Sequence, residues 1–147
     1  MSREMSIGWK EVGALIESSG LAHVATSTAG GDPHVAVVFV VCEGERLTLT
    51  MRVSSKKAAN LRANPRMAMM WQGNGAETYV WGSVSLVDDP SEKNRVWNGG
   101  LFPFDLGQFY GSEQSSDWIV AHVQPVRAVV MAQTERGLER REWTLGA

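Results

Sequence analysis

The chain has 147 residues, which is enough for one ordinary domain with a sizeable core. Its 14 Lys and Arg against 16 Asp and Glu give a net charge of −2, which excludes nucleic-acid binding through general basicity. The longest apolar run, VAVVFVV at 35–41, is far too short to span a bilayer. No charged segment followed by an apolar one opens the chain, and the single Cys42 rules out an intrachain disulfide. A cytoplasmic protein with no membrane partner is therefore expected. Cys42 lies in an apolar run and reads as a buried, inert thiol rather than a nucleophile.

Trp9, Val12, Leu15 and Ile16 recur at helical spacing, so residues 8–19 predict an amphipathic helix ending near Gly20. A strand at 21–28, the turn AGGDP at 29–33 and a Val-rich buried strand at 34–43 follow. The alternation of LTLTMRV at 47–53 predicts a strand with one wet face, and these first three strands read as a meander of hairpins. A short helix within 52–66 starts at a Ser and is stopped by Pro65. Strands at 66–71 and 77–87 are joined by the loop QGNGA, and a helix is expected at 91–97. Residues 98–116 show no steady period and read mostly as loop. Strands are expected at 118–131, where Pro125 must sit at an edge or bulge, and at 141–145. With no repeat or linker, this pattern predicts a mainly β fold of the α+β kind, a six- to seven-stranded Greek-key barrel with peripheral helices.

Few residues suggest chemistry. His23, His34 and His122 fall on separate strands with no HxH or HxxxH spacing, so each reads as structural and no metal site is expected. No catalytic constellation, P-loop or GxGxxG occurs. The remaining signal is RVSSKKAANLRANPR at 52–66. The chain has four lysines, and two of them, Lys56 and Lys57, fall in the first turn of a helix. The helix dipole disfavours cations there, by a few tenths to about 1 kcal/mol each. Free N–H groups, a capping Ser, two Lys and Arg52 together would form an anion site, and a phosphate would turn the unfavourable charge into a gain. The alternative is that both lysines are solvated and their stems cover the barrel.

The stretch SSKKAANLRANPRMAM at 54–69 resembles the pyridoxamine 5′-phosphate oxidase-like flavin-binding split barrels. That group also holds deazaflavin (F420)-dependent oxidoreductases and quinone-reducing relatives. The resemblance runs from about Leu21 to Leu86 and implies a single split-barrel domain over 1–147. It implies that Lys56 and Lys57 grip the cofactor phosphate, with Ser55 before them. Thr50 and Met51 would lie against the ribityl chain and ring, and the backbone of Val35, Ala36, Val37 and Val38 would border the ring. Arg52 is added from its charge and proximity in sequence. The resemblance also implies a homodimer with a cofactor in each of two clefts between subunits.

Three departures argue against oxidation of vitamin B6. Val35 and Val40 stand where the oxidases carry basic residues, and Glu77 is the nearest match to a Gln near the flavin. The C-terminal ERREWTLGA has no counterpart of the Arg and His that hold the substrate phosphate. The expected activity is an FMN-dependent oxidoreductase acting on a small-molecule substrate, with no side chain required as catalytic acid or base. F420 is the alternative cofactor, and a non-catalytic flavin- or haem-binding protein is the rival from another class. Trp71 and Trp81 read as packing residues, and Gly82 as a bulge. Phe102, Phe104, Phe109 and Tyr110 either line a substrate pocket or pin their loop to the barrel.

Overall fold

The computed structural model describes residues 5–146. Its elements follow in the order β1 (Met5–Ser6), α1 (Trp9–Ser19), β2 (Ala22–Ser27), β3 (Pro33–Val38), β4 (Val41–Glu43), β5 (Arg46–Met51) and α2 (Lys56–Ala63). After these come β6 (Arg66–Gly73), β7 (Ala76–Val87), α3 (Pro90–Asn98), α4 (Gly107–Tyr110), β8 (Ile119–Thr134) and β9 (Gly137–Thr144).

One sheet holds all the strands, in the path β1-β9-β8-β7-β6-β2-β3, with β5 bonded to β8 and β4 to β5. The long strand β8 organises it. One edge of β8 pairs with β7 from Val120 to Ala132. The other edge pairs first with β5, over Ile119–Val123, and then with β9, over Arg127–Thr134. Gln124 and Pro125 have no ladder partner on that edge, so β5 and β9 part there and the sheet splits. Pro125 has no N–H to lose at this point, and opposite it the register of β7 shifts between Trp81 and Gly82. From β3 through β2, β6, β7 and β8 to β5 and β4 the sheet curls round. Its ends, β3 and β4, are consecutive in the chain but not bonded to each other. This is an unclosed, split barrel.

Period-2 alternation sends Val24, Met67, Met69, Trp71, Val80 and Val130 to the interior, each at most 3% exposed. Full burial of such side chains stabilises the fold by about 1.5–3 kcal/mol apiece. Trp71 is fully buried and Trp81 half-buried, with the Arg127 guanidinium 4.6 Å from its ring centroid, so both are packing residues. α1 buries Trp9, Val12 and Ile16 as its spacing requires. The β6–β7 hairpin turns through Asn74 (φ 56°) and Gly75 (φ 73°), the positive-φ pair that a two-residue hairpin turn demands.

Four expectations need correction. The strand count among the described residues is nine rather than six or seven, and β1 pairs with β9 in parallel. Residues 34–43 form two strands, because the chain bends at Phe39–Val40 to leave β2 and reach β5. For the same reason β2–β3 and β4–β5 are separate hairpins instead of a meander. The wet face of β5 is dry: Thr48 and Thr50 are 0% and 9% exposed. A second apolar cluster (Val96, Leu106, Trp118 and Val120) lies under α3 and the 98–116 segment, which contains α4 and covers that face.

Candidate functional site

The bend at Phe39 and the β5–α2 connection open a cleft of about 370 Å³. Val37, Val38 and Phe39 form one wall, and Thr50, Met51 and Arg52 form its floor. Ser55, Lys57, Phe104, Phe109, Tyr110 and Leu21 complete the lining.

The cationic end is built by the helix start. Ser55 is the N-cap; its hydroxyl accepts from the Ala58 N–H at 3.2 Å and donates to the Arg52 carbonyl at 2.7 Å. Lys56 and Lys57 are the first two residues of α2, so no carbonyl within the helix can reach their N–H groups. Lys57 is half-buried in the cleft wall, and burial pushes its ammonium below the ordinary lysine range. Lys56 is exposed and lies outside the lining. Neither lysine forms an ion pair among the described residues. The two asparagines of NLRANPR tie the helix to β2. Asn60 donates to Thr26 at 3.1 Å in a buried contact, and Asn64 donates to Ser27 at 2.9 Å.

Arg52 is differently employed. Its guanidinium donates to Asp117 at 3.2 Å and to the Phe109 carbonyl, and lies 5.7 Å from the Tyr110 ring centroid. Asp117 also accepts from the N–H and the hydroxyl of Ser54, both at 2.9 Å. The Ser54 N–H, then its hydroxyl and Arg52, hold the Asp117 carboxyl below the usual carboxylate range. Arg52 and Asp117 therefore fasten the aromatic wall to the start of α2. Among the described residues that line the cleft, the cation left without an ion pair is Lys57.

The aromatic wall is a linked set. Phe39 and Phe104 meet edge-on at 5.8 Å and 89°, and Phe104 and Phe109 at 5.0 Å and 64°. The Tyr110 hydroxyl donates to Thr50 at 3.0 Å, and burial pushes its phenol up, so it stays neutral. These aromatic residues both line the cleft and pin their segment.

Seven of the anticipated residues meet here: Val37, Val38, Thr50, Met51, Arg52, Ser55 and Lys57. Ala36, paired with Val24 of β2, and Val35, 66% exposed, lie earlier along β3 and outside the lining. Phe39 and Asp117 were not anticipated. Phe39 adjoins the apolar run of β3, but nothing local marks Asp117, whose partner Ser54 is 63 residues away.

The cleft suits a flavin-type cofactor: cations and free amides at one end, and flat apolar surface beyond. β3 ends the sheet path, so its outer edge leaves backbone N–H and C=O groups free to meet a polar ring edge.

A family profile for pyridoxamine 5′-phosphate oxidase matches residues 9–129. No protein of curated function matches the sequence. Several solved structures share the fold. A Clostridium acetobutylicum protein related to general stress protein 26 is 15% identical, with 95% of this chain and 97% of that one covered and a TM-score of 0.75. An F420 reductase is 24% identical over 78% and 93% of the chains, with a TM-score of 0.61. HutZ, the haem storage protein of Vibrio cholerae, is 18% identical over 79% and 88%, with a TM-score of 0.62.

Proposed function

The chain belongs to the pyridoxamine 5′-phosphate oxidase family, and on that premise we propose that it is an FMN-dependent oxidoreductase. One observation carries this reading. Lys57 is a half-buried ammonium without an ion pair among the described residues, at the first turn of a helix, in the cleft that the β3 wall also lines. A bound flavin supplies the hydride or electron transfer. The protein binds and orients it. Lys57 and Lys56 neutralise the phosphate, and the first-turn amides donate to it. Ser55 can donate as well only by releasing the Arg52 carbonyl. The backbone of Val37 and Val38 meets the ring edge, Met51 and Thr50 support the ring from below, and the Phe wall excludes water.

The same reading makes the protein a homodimer. Val35 and Val37 are 66% and 58% exposed on the outer face of β3, and Leu21 beside the cleft is 58% exposed. Met70, Tyr79 and Trp81 continue that face across β6 and β7, half-buried and opposite in direction to the buried Met69 and Val80. A second subunit on this surface would cover apolar side chains that a monomer leaves in water.

F420 is the second reading, favoured by the likeness to an F420 reductase and by an anion end that would accept its phosphate equally well. The mass and visible spectrum of whatever co-purifies with the protein, followed by titration with each cofactor, separate the two. FMN is expected to bind and to lose its fluorescence on binding. Binding of F420 alone would replace the first reading with the second, and a haem spectrum would remove both.

A further inference from the structure

We propose that the substrate side of the cleft takes an uncharged, flat, apolar molecule and rejects one bearing a carboxylate or phosphate. This rests on reading the cleft as a cofactor site. The aromatic wall has no charge to offer. Arg52, its one cation, is neutralised by Asp117 at 3.2 Å and turned toward the Phe109 carbonyl. The Tyr110 hydroxyl spends its donor on Thr50. What remains is the set of rings, Phe39, Phe104 and Phe109, held at fixed mutual angles by edge contacts. Phe109 is 52% exposed, so a large apolar ring stands at the wall's surface, open to an incoming molecule. The free cations, Lys56 and Lys57, stand in the first turn of α2 and are taken by the cofactor phosphate. A substrate anion would thus be desolvated against aromatic rings with no partner, which costs more than a factor of about ten in binding.

Two non-reducible probes with the same ring test this: 2-naphthol, uncharged at neutral pH, and 2-naphthoate, its carboxylate counterpart. Each is titrated into the FMN-saturated protein and into the protein without FMN. The expected result in the FMN-saturated protein is naphthol binding at least about tenfold tighter than naphthoate. Phe109→Ala is expected to weaken naphthol severalfold, and this half-exposed position tolerates the change without unfolding. Naphthoate binding as well as naphthol would overturn the proposal, as would a Phe109→Ala variant that binds naphthol unchanged. Naphthol that binds the free protein but is expelled by FMN would also overturn it, because the rings would then serve the cofactor. If no FMN binds at all, the cofactor reading fails separately, and the naphthol-to-naphthoate ratio of the Lys56→Ala/Lys57→Ala protein, which has no free lysine in the cleft, decides whether the wall rejects charge.

Discussion

His122 Nε2 lies 2.6 Å from a carboxylate oxygen of Glu92, a contact that binds α3 to β8. It is one link of a closed ring. Glu92 accepts from Arg95, Arg95 donates twice to Glu43 at 2.8 and 3.1 Å, and Glu43 accepts the Thr48 proton at 2.6 Å. Thr48 in turn lies 3.0 Å from His122 Nδ1. The ring holds α3, and with it the segment that walls the cleft, on the polar face of β5.

Acid should dismantle this ring. Hydrogen bonds from Arg95, aided by Thr48 and opposed by burial, hold Glu43 down from 4.5 to about 2. The folded state therefore binds this proton less readily than the unfolded chain. The stabilisation is complete above about 4.5 and is lost as the pH falls toward 2. Thermal melts should show the midpoint falling across that window. Glu43→Gln should lower stability by about 1–3 kcal/mol at neutral pH and flatten the acid limb. Parallel acid limbs in the two proteins would remove Glu43 from the account.

The ring also shows why one part of the fold was hidden in the sequence. Leu47-Thr48-Leu49-Thr50 alternates like a half-wet strand, and only α3 and the Phe-rich segment, 40 or more residues later, make its threonines dry. α1, α2 and α3, the hairpin turn at Asn74–Gly75 and the Pro125 irregularity were legible because each has a local cause: a period, a positive φ, a missing N–H. The bend at Phe39–Val40 was not, since a run of valines carries no mark of where its partner strand changes. The same division holds in the cleft. Lys57 announces itself by breaking the dipole rule at a helix start, and Ser55 by standing as its cap. Asp117 is an ordinary surface carboxylate until folding brings it to Ser54.

Gly82 should not tolerate a side chain. A Cβ there would meet the Gln124 carbonyl oxygen at 2.8 Å and collide with the Val123 side chain, at the place where β7 shifts register against Pro125. Backbone cannot yield as a flexible side chain does. Gly82→Ala is expected to lower stability by about 1–3 kcal/mol, read as a shift in the urea midpoint at unchanged slope. An unshifted midpoint would show that β7 and β8 can separate there without loss.

Arg52→Gln should separate wall-holding from phosphate-holding. The guanidinium faces Asp117 and the Phe109 carbonyl, so its loss should speed amide exchange through 105–117. FMN affinity should stay within about threefold, the scale of a screened and already compensated charge. A large loss of FMN affinity with exchange unchanged would mean that Arg52 leaves Asp117 to bind the phosphate.

The two lysines should not be equivalent. Lys57 lines the cleft and is half-buried, whereas Lys56 is exposed and outside the lining. A charged hydrogen bond of about 1.5–3 kcal/mol corresponds to roughly a 10- to 150-fold loss of FMN affinity in Lys57→Ala, with a smaller loss in Lys56→Ala. Burial holds the Lys57 ammonium below the ordinary 10.5, so the free protein gives up this charge sooner than an exposed lysine would as the pH rises. FMN affinity should therefore fall on the alkaline side beginning below 10.5, and the fall should be missing from Lys57→Ala but retained in Lys56→Ala. Fluorescence titrations of FMN across that range check both statements. Equal losses in the two variants, or an alkaline fall that survives Lys57→Ala, would place the phosphate somewhere other than the mouth of α2.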